Sequence, residues 1–235
     1  MFGPRTLIPA SKTDIKGEKI GPKERQLFTR LSKIQKSLTS TLERNLWEAS
    51  PILKMITSKL NIPDYIKETA WRIYILVAKK RLTQGRSIKG FIAASLYAAI
   101  RIHEFPRILD DISDTSLIDR HTIIRSLGII LKDILPDLNL RYRPVTSEQL
   151  VYHFGNSLGL PMETQKQAIE MLANASKNGL ERNGLDPRGI AGSVIYMASK
   201  NDHVKVTQSR ISEVAKITEV TLRNRIKQIR SLLKT

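Results

Sequence analysis

The hydrophobic positions of this chain recur with a spacing near 3.6 residues, and no stretch shows the alternation expected of a half-buried strand. In the first half they predict helices over 42–60, 64–82, 87–103, 107–116 and 120–134. The residues that separate these segments favour helix ends, and they are Pro63, Gly85, Pro106 and Pro136. The segment from Ile88 is apolar on almost every side and rich in alanine, which is typical of a central packed helix. The sequence therefore predicts an all-α fold.

The chain contains this pattern twice. The segment from Gly85 to Tyr97 recurs from Gly184 to Tyr196 with two glycines and the tyrosine in register. The match extends in both directions, through Pro63 and Pro161, Ala70 and Ala168, Ile112 and Ile211, and Thr122 and Thr221. A repeat of this length is a whole domain rather than a solenoid unit. In chain order we expect a flexible basic N-terminal arm (1–40), a first domain (41–138), a linker (139–146) and a second domain (147–235).

Charge narrows the choice of partner. The 235 residues include 39 Lys and Arg against 22 Asp and Glu, a formal net charge of +17. Residues 1–40 and 200–235 each hold nine basic and three acidic side chains. Such an excess favours nucleic acid or an anionic membrane as partner. Because the apolar run Phe91–Ile100 is too short for a bilayer and the N-terminus lacks a signal-peptide pattern, we expect an intracellular protein that binds no membrane.

The residues needed for common catalytic and metal sites are missing or scattered. The chain has no cysteine, which excludes disulfides, thiolate metal sites and cysteine nucleophiles. Its four histidines lie far apart, and no P-loop or dinucleotide motif occurs. Gly155-Asn-Ser157-Leu-Gly159 fits the nucleophile pattern G-x-S-x-G, but that pattern needs a preceding strand, and residues 148–154 predict a helix. We therefore expect neither an enzyme nor a cofactor or metal site.

Each copy ends in a predicted helix-turn-helix. In the second copy Thr207 and Thr218 are placed to cap two helices, and the small Ala215 allows a close crossing. The second of these helices leaves Val220 and Arg223 on an exposed edge. Such an edge suits the major groove, where arginine pairs with guanine and valine packs on a thymine methyl group.

The first copy differs in charge at the same place. Its equivalent segment, 107–125, carries four aspartates, which would repel phosphates. We therefore assign base reading to the second copy and phosphate or protein contact to the first.

Seven spaced segments carry a family resemblance, and they are Glu43–Leu46, Leu82–Ile88, Ala93–Arg101, Pro106–Asp110, Gln165–Glu170, Asn183–Pro187 and Thr218–Arg225. From about residue 40 to the C-terminus the chain resembles the archaeal transcription factor B family, the counterpart of eukaryotic initiation factor IIB. The resemblance implies two cyclin-like repeats of five helices. It also implies a monomeric, non-enzymatic initiation factor that binds promoter DNA together with the TATA-binding protein and bridges to RNA polymerase.

The resemblance assigns roles to individual residues. Val220 and Arg223 match the positions that read bases of an element upstream of the TATA box. The residues expected to support them or to hold phosphates are Gln208, Arg210, Thr221, Asn224, Arg225 and Lys227. In the first repeat Gly85 and Arg86 match a loop that contacts DNA on the other side of the TATA box. Arg120 and Arg125 lie on a helix that resembles the one meeting the TATA-binding protein.

The N-terminal arm leaves alternatives open. The family begins with a cysteine-ligated zinc ribbon that docks on RNA polymerase, whereas Gly3–Ile8, Gly17–Ile20 and Arg30–Gln35 resemble the segment that enters the polymerase cleft. Either the ribbon has been removed, or this is a shortened paralogue that occupies promoters without recruiting polymerase. A hypothesis from another class, a cyclin-like module that activates an enzyme such as a kinase, is disfavoured by the basic edge at 220–230.

Overall fold

The computed structural model describes residues 21–38, 41–180, 184–202 and 206–233, and within these ranges it contains helices and turns but no strand. The prediction of an all-α fold is confirmed. The helices are α1 (Pro22–Leu38), α2 (Thr41–Lys59), α3 (Asp64–Lys79), α4 (Ile88–Ile102), α5 (Leu109–Ser116), α6 (Arg120–Asp133), α7 (Ser147–Ser157), α8 (Met162–Lys177), α9 (Pro187–Asn201), α10 (Gln208–Ala215) and α11 (Glu219–Leu233), with a short 3-10 helix at Pro136–Leu138.

The five helices predicted for the first repeat correspond to α2–α6. Helix α1 lies in the N-terminal arm, for which no helix was predicted. Its apolar residues Leu27, Leu31 and Ile34 recur at helical spacing, and Glu24 in the first turn favours the helix dipole. The arm segments Gly3–Ile8 and Gly17–Ile20 lie outside the described residues.

Each repeat is built around one central helix. In the first repeat α4 packs against α2, α3, α5 and α6, and in the second α9 packs against α7, α8, α10 and α11. Phe91, Leu96 and Ile100 of α4 are fully buried, and so are Ala191 and Val194 of α9. Burial of one such large apolar side chain contributes about 1.5–3 kcal/mol, so the central helix carries much of the stability of its repeat.

The two repeats also match turn by turn. Residues with a left-handed backbone occur at equivalent turns, namely Asn61 and Gly159, Arg81 and Gly179, Gly85 and Gly184, and Leu117 and Lys216. The backbone therefore supports the internal duplication independently of the side chains.

Both central helices carry a glycine at the point where the last helix crosses, but only Gly90 is needed for a close approach, because a Cβ atom on Gly189 would make an ordinary van der Waals contact. A Cβ atom on Gly90 would lie 2.9 Å from Thr122 Cγ2 of α6, and a Cβ atom on Gly189 would lie 3.4 Å from Arg225 Cγ of α11. The last helix of each repeat is thus held against the central helix at the same point.

The two repeats contact each other through residues of the linker, of α5 and of the second repeat, and we call this contact surface the seam. In the predicted linker Leu140 and Tyr142 pack against the first core, whereas Val145 packs against the second. Ile108, which precedes α5, is 4% exposed and belongs to the core of the second repeat. An apolar side chain of one repeat therefore completes the core of the other.

Carboxylates of α5 surround this apolar contact. Arg188 Nη1 lies 2.7 Å from Asp110 Oδ2. Lys216 Nζ lies 3.4 Å from Asp111 Oδ1 and also pairs with Asp114. The sequence comparison treated these aspartates as a surface that repels phosphates. The structure corrects this interpretation, because three of the four face cations of the second repeat.

The remaining aspartate has a different role. Asp119 caps α6, where its side chain accepts a hydrogen bond of 3.2 Å from the backbone of Thr122. None of the four carboxylates is therefore simply a free surface charge.

The seam shifts the pKa of Asp111. Burial alone would raise the pKa of this carboxyl group, but the hydrogen bond with His153 and the charge of Lys216 outweigh burial and hold the pKa below its ordinary value. The imidazole Nε2 of His153 lies 3.5 Å from Asp111 Oδ2. A carboxyl group whose pKa falls on folding stabilises the fold above its unfolded pKa and loses that contribution as the pH drops.

The close approach of α6 to Gly90 predicts opposite effects on stability for a glycine-to-alanine substitution at Gly90 and at Gly128. Gly90→Ala adds a methyl group that would meet Thr122 in α6, and we expect a loss of about 1–3 kcal/mol of unfolding free energy. Gly128→Ala, on α6, meets nothing within 4 Å, and we expect a gain of about 0.5–1 kcal/mol. Urea denaturation measures both. Stabilisation by Gly90→Ala would show that the crossing is not tight.

The seam also predicts a pH dependence. Besides His153 and Lys216, the charged groups around Asp111 are Asp110, Asp114 and Arg188. We expect Asp111→Asn to lower the unfolding free energy by about 1–2 kcal/mol at pH 7, where the native carboxylate is ionised. As the pH falls below about 4, the ordinary pKa of an aspartate, the unfolded chain takes up a proton first and native Asp111 follows at lower pH, so the difference between the two proteins should shrink. Denaturation curves across pH measure it, and a difference independent of pH would contradict the account.

Candidate nucleic-acid interface

Helices α10 and α11 form the predicted helix-turn-helix. Thr207 Oγ1 accepts a hydrogen bond of 3.2 Å from the backbone of Arg210 and caps α10. At the start of α11, Thr218 Oγ1 accepts one of 3.2 Å from the backbone of Thr221. Ala215 is fully buried where the helices meet, and Lys216 turns the chain with a positive φ. Both predicted caps are confirmed.

Helix α11 has a buried and an exposed face. Leu222, Ile226 and Ile229 lie in the core. The opposite side carries exposed residues at helical spacing, which we call the α11 stripe: Val220, Arg223, Asn224, Lys227 and Arg230. A helix of 15 residues is about 22 Å long, so the stripe presents its three cations along one straight edge.

Val220 and Arg223 both point outward at the start of the stripe. The side chain of Val220 is 64% exposed although it is apolar, and that of Arg223 is 56% exposed. A valine and an arginine exposed side by side suit contact with a base edge. Neither of the two predicted base-reading residues is needed to fill the core.

Two neighbours hold the Arg223 guanidinium. Its Nε donates to Gln208 Oε1 at 3.0 Å, and its Nη2 pairs with Glu219 Oε2 at 2.6 Å. The sequence analysis assigned Gln208 to phosphates and missed Glu219. In the structure both position Arg223. The signal for Glu219 was its place four residues before an arginine on the same helix, a spacing that favours an ion pair.

Not all predicted supporting residues lie on the stripe. Asn224 and Lys227 do, and Arg210 is exposed at the start of α10, where it pairs with Glu213 at 2.8 Å. Thr221 and Arg225 are only partly exposed and approach Gly189 of α9. These two residues therefore help to pack α11 onto the central helix while remaining partly exposed.

The equivalent edge of the first repeat is not basic. The positions that match Val220, Arg223, Asn224 and Lys227 are His121, Ile124, Arg125 and Gly128. Of these only Arg125 is a permanent cation, and Ile124 is exposed. The same helical framework thus carries a basic stripe in one repeat only.

A second basic surface lies beside the predicted loop of the first repeat. Gly85 has a positive φ and Arg86 is exposed. They adjoin a cleft of about 670 Å³ that is lined by Leu42, Asn45, Ala78, Lys79, Arg81, Thr83, Gln84, Arg86 and Ile88. Three of these described lining residues are cations and none is acidic. The sequence analysis missed Lys79 and Arg81, although both belong to a basic run at 79–81.

The residues predicted to meet the TATA-binding protein are on the outside of α6. Arg120 and Arg125 are both exposed. Arg120 Nη1 lies 3.7 Å from Asp110 Oδ1, at the edge of the seam, whereas Arg125 lies one and a half turns along α6.

The structure gives the G-x-S-x-G pattern at residues 155–159 a structural role. Gly155 and Ser157 both belong to α7, and Ser157 Oγ donates to the carbonyl of His153 at 2.9 Å. A Cβ atom on Gly155 would lie 2.7 Å from the side chain of Gln165. The glycine is therefore required by helix packing, and the serine does not stand on a strand-to-helix turn.

The described ranges contain neither a cluster of metal ligands nor a membrane-spanning helix. No group of three or more His, Asp and Glu side chains there could hold a metal ion, and His203 lies outside them. The helices described are all too short or too polar to cross a membrane.

Comparison with known proteins identifies the repeats. The family described as the transcription factor TFIIB repeat matches residues 42–133 and 142–231, which contain the two helical cores. The chain belongs to the TFIIB family. The resemblance inferred from the sequence is confirmed, and the family is one of transcription factors rather than of enzymes.

Relatives named transcription initiation factor IIB match over nearly the whole chain. The factor of Methanocaldococcus jannaschii is 38% identical over 97% of this chain, which covers 33% of that relative. That of Archaeoglobus fulgidus is 38% identical, with 97% of this chain and 69% of the relative covered. For Sulfurisphaera tokodaii the values are 36%, 99% and 75%. The chain thus spans between a third and three quarters of the length of these relatives.

Proposed function

We propose that this TFIIB-family chain is the DNA-binding part of a general transcription initiation factor. In this proposal it binds promoter DNA together with the TATA-binding protein, and α11 reads bases upstream of the TATA box. The exposed α11 stripe is the observation that carries the proposal. The match of Val220 and Arg223 to base-reading positions and the membership of the TFIIB family support the proposal.

The proposed mechanism begins with α11 in the major groove, which is about 12 Å wide and admits a helix. Arg223 would donate to the O6 and N7 atoms of a guanine, and Val220 would pack on a thymine methyl group. Gln208 and Glu219 hold the Arg223 side chain before binding, so less side-chain freedom remains to be lost. Lys227 and Asn224 would contact phosphates and so fix the register of the helix.

The first repeat would provide the second point of attachment. Its basic cleft, with Lys79, Arg81 and Arg86, suits the DNA backbone on the other side of the TATA box. Arg120 and Arg125 on the outside of α6 would meet the TATA-binding protein. One chain would thus contact the duplex on both sides of its partner.

The N-terminal arm would extend this bridge toward RNA polymerase. The segment that resembles the polymerase-cleft region, Arg30–Gln35, lies in α1. Leu27, Phe28 and Leu31 of the same helix are exposed apolar residues, which suits contact with another protein.

Substitution of Arg223 tests base reading. We expect Arg223→Ala to cost about 1–3 kcal/mol of binding free energy on the preferred promoter and to relax the preference at one base pair. The measurement is competitive binding to a set of promoter duplexes, each with one base pair changed, in the presence of the TATA-binding protein. A uniform loss on all duplexes would contradict the assignment.

Lys227→Ala provides the contrast on the same helix. A phosphate contact carries no sequence information, so we expect a similar loss on every duplex and a salt-dependence slope that falls by about one. Lys59→Ala removes an exposed lysine from the last turn of α2, in the other repeat, and should leave the slope nearly unchanged.

A further inference from the structure

The contact across the seam reaches the turn that positions α11. Lys216 lies between α10 and α11, and its ammonium group contacts Asp111 and Asp114 of the first repeat. Arg188 links the same elements, since its Nη1 pairs with Asp110 and also lies 3.4 Å from the carbonyl oxygen of Lys216. We call Asp110, Asp111 and Asp114 the α5 carboxylates. They tie the first repeat to the base of the α11 stripe.

Most of this contact is shielded from water. The side chains of Asp110, Asp111, Arg188 and His153 are between 14% and 20% exposed. Partly buried ion pairs are screened by salt less than exposed pairs are. Removal of one partner leaves the opposite charge without compensation in a desolvated position. Such a contact favours one arrangement of the two repeats more strongly than a surface ion pair would.

The polar and apolar parts of the seam have complementary effects. Ile108 inserts into the core of the second repeat and contributes affinity without direction. Charged pairs around an apolar contact fix the register, because other orientations would leave the charges unpaired. The seam therefore combines an apolar anchor with a directional polar rim.

We propose that the α5 carboxylates act as a latch that presets the orientation of the second repeat relative to the first. The latch would set the separation between the α11 stripe and the basic cleft beside Gly85 before DNA is bound. When two binding surfaces are held at the correct separation, the second contact forms at a high effective concentration. The part of this inference that concerns DNA rests on the proposed function, whereas the latch itself does not.

The absence of cysteine from the chain makes a direct distance measurement possible. Ser58→Cys on α2 and Ala173→Cys on α8 place one exposed label on each repeat. Pulsed electron paramagnetic resonance on the full chain then gives the distribution of distances between the repeats. We expect a single narrow distribution for the labelled parent, and a loss of that narrow peak with Asp111→Asn plus Asp114→Asn, or with Lys216→Gln.

Two comparisons separate the latch from a general effect of charge or stability. The combination of all three substitutions should broaden the distribution no further than either change alone, because both remove the same interaction. Asp64→Asn plus Asp137→Asn, which break the pairs with Lys67 and Lys80 inside the first repeat, change the net charge by the same two units as the double variant and should leave the peak narrow. Should the double variant not fold, Lys216→Gln serves, since it removes the partner of both Asp111 and Asp114 while leaving the carboxylates in place.

Binding to DNA adds an independent result. With the TATA-binding protein and a promoter duplex, insertion of one base pair between the upstream element and the TATA box should weaken the parent more than the latch variants. An unchanged distance distribution in every latch variant would overturn the proposal. Broader distances with an unaltered spacing preference would overturn its extension to DNA. If no form of the chain bound the duplex but the distances broadened, the latch would stand and the proposed function would fail.

Discussion

The close crossing of the last helix of each repeat over a fully packed central helix is the constraint on which the rest of the molecule depends. Because α4 and α9 are covered by neighbours on almost every side, their apolar surfaces cannot tolerate a displaced partner. Gly90 lets α6 approach α4 closely, and α11 lies against Gly189 at the equivalent point of α9. The inner face of the last helix is thereby fixed, and its outer face is free to differ between the repeats.

The outer faces of the two last helices differ in charge. On α11 the outer face carries Arg223, Lys227 and Arg230, whereas the matching face of α6 carries Ile124 and Gly128. The preceding helices differ as well, since α5 is acidic and faces the second repeat, while α10 begins with Gln208, which holds Arg223. One framework therefore provides a seam at the end of its first copy and an exposed basic edge at the end of its second.

Much of this could be predicted from the sequence. Helical periodicity and the internal repeat were sufficient for the fold, and the caps at Thr207 and Thr218 follow from residue type and spacing. Ion pairs between the two repeats could not be predicted, because the way the repeats dock decides which charged side chains meet. Asp110, Asp111 and Asp114 looked like an anomalous acidic surface until Arg188 and Lys216 were placed against them. The packing of Thr221 and Arg225 could not be predicted either. Helical spacing places them near the exposed edge, whereas in the structure they lie against Gly189 of α9.

The central claim is that the exposed edge of α11 enters the major groove of promoter DNA beside the TATA-binding protein. A methylation-interference experiment on a promoter duplex tests it most directly, because methylation of guanine N7 blocks contact in the major groove. The account predicts that methylation at one guanine upstream of the TATA box weakens the complex formed with the TATA-binding protein, and that the interference at this guanine disappears with Arg223→Ala. Interference that is absent upstream of the TATA box, or that is identical in the parent and in Arg223→Ala, would contradict it.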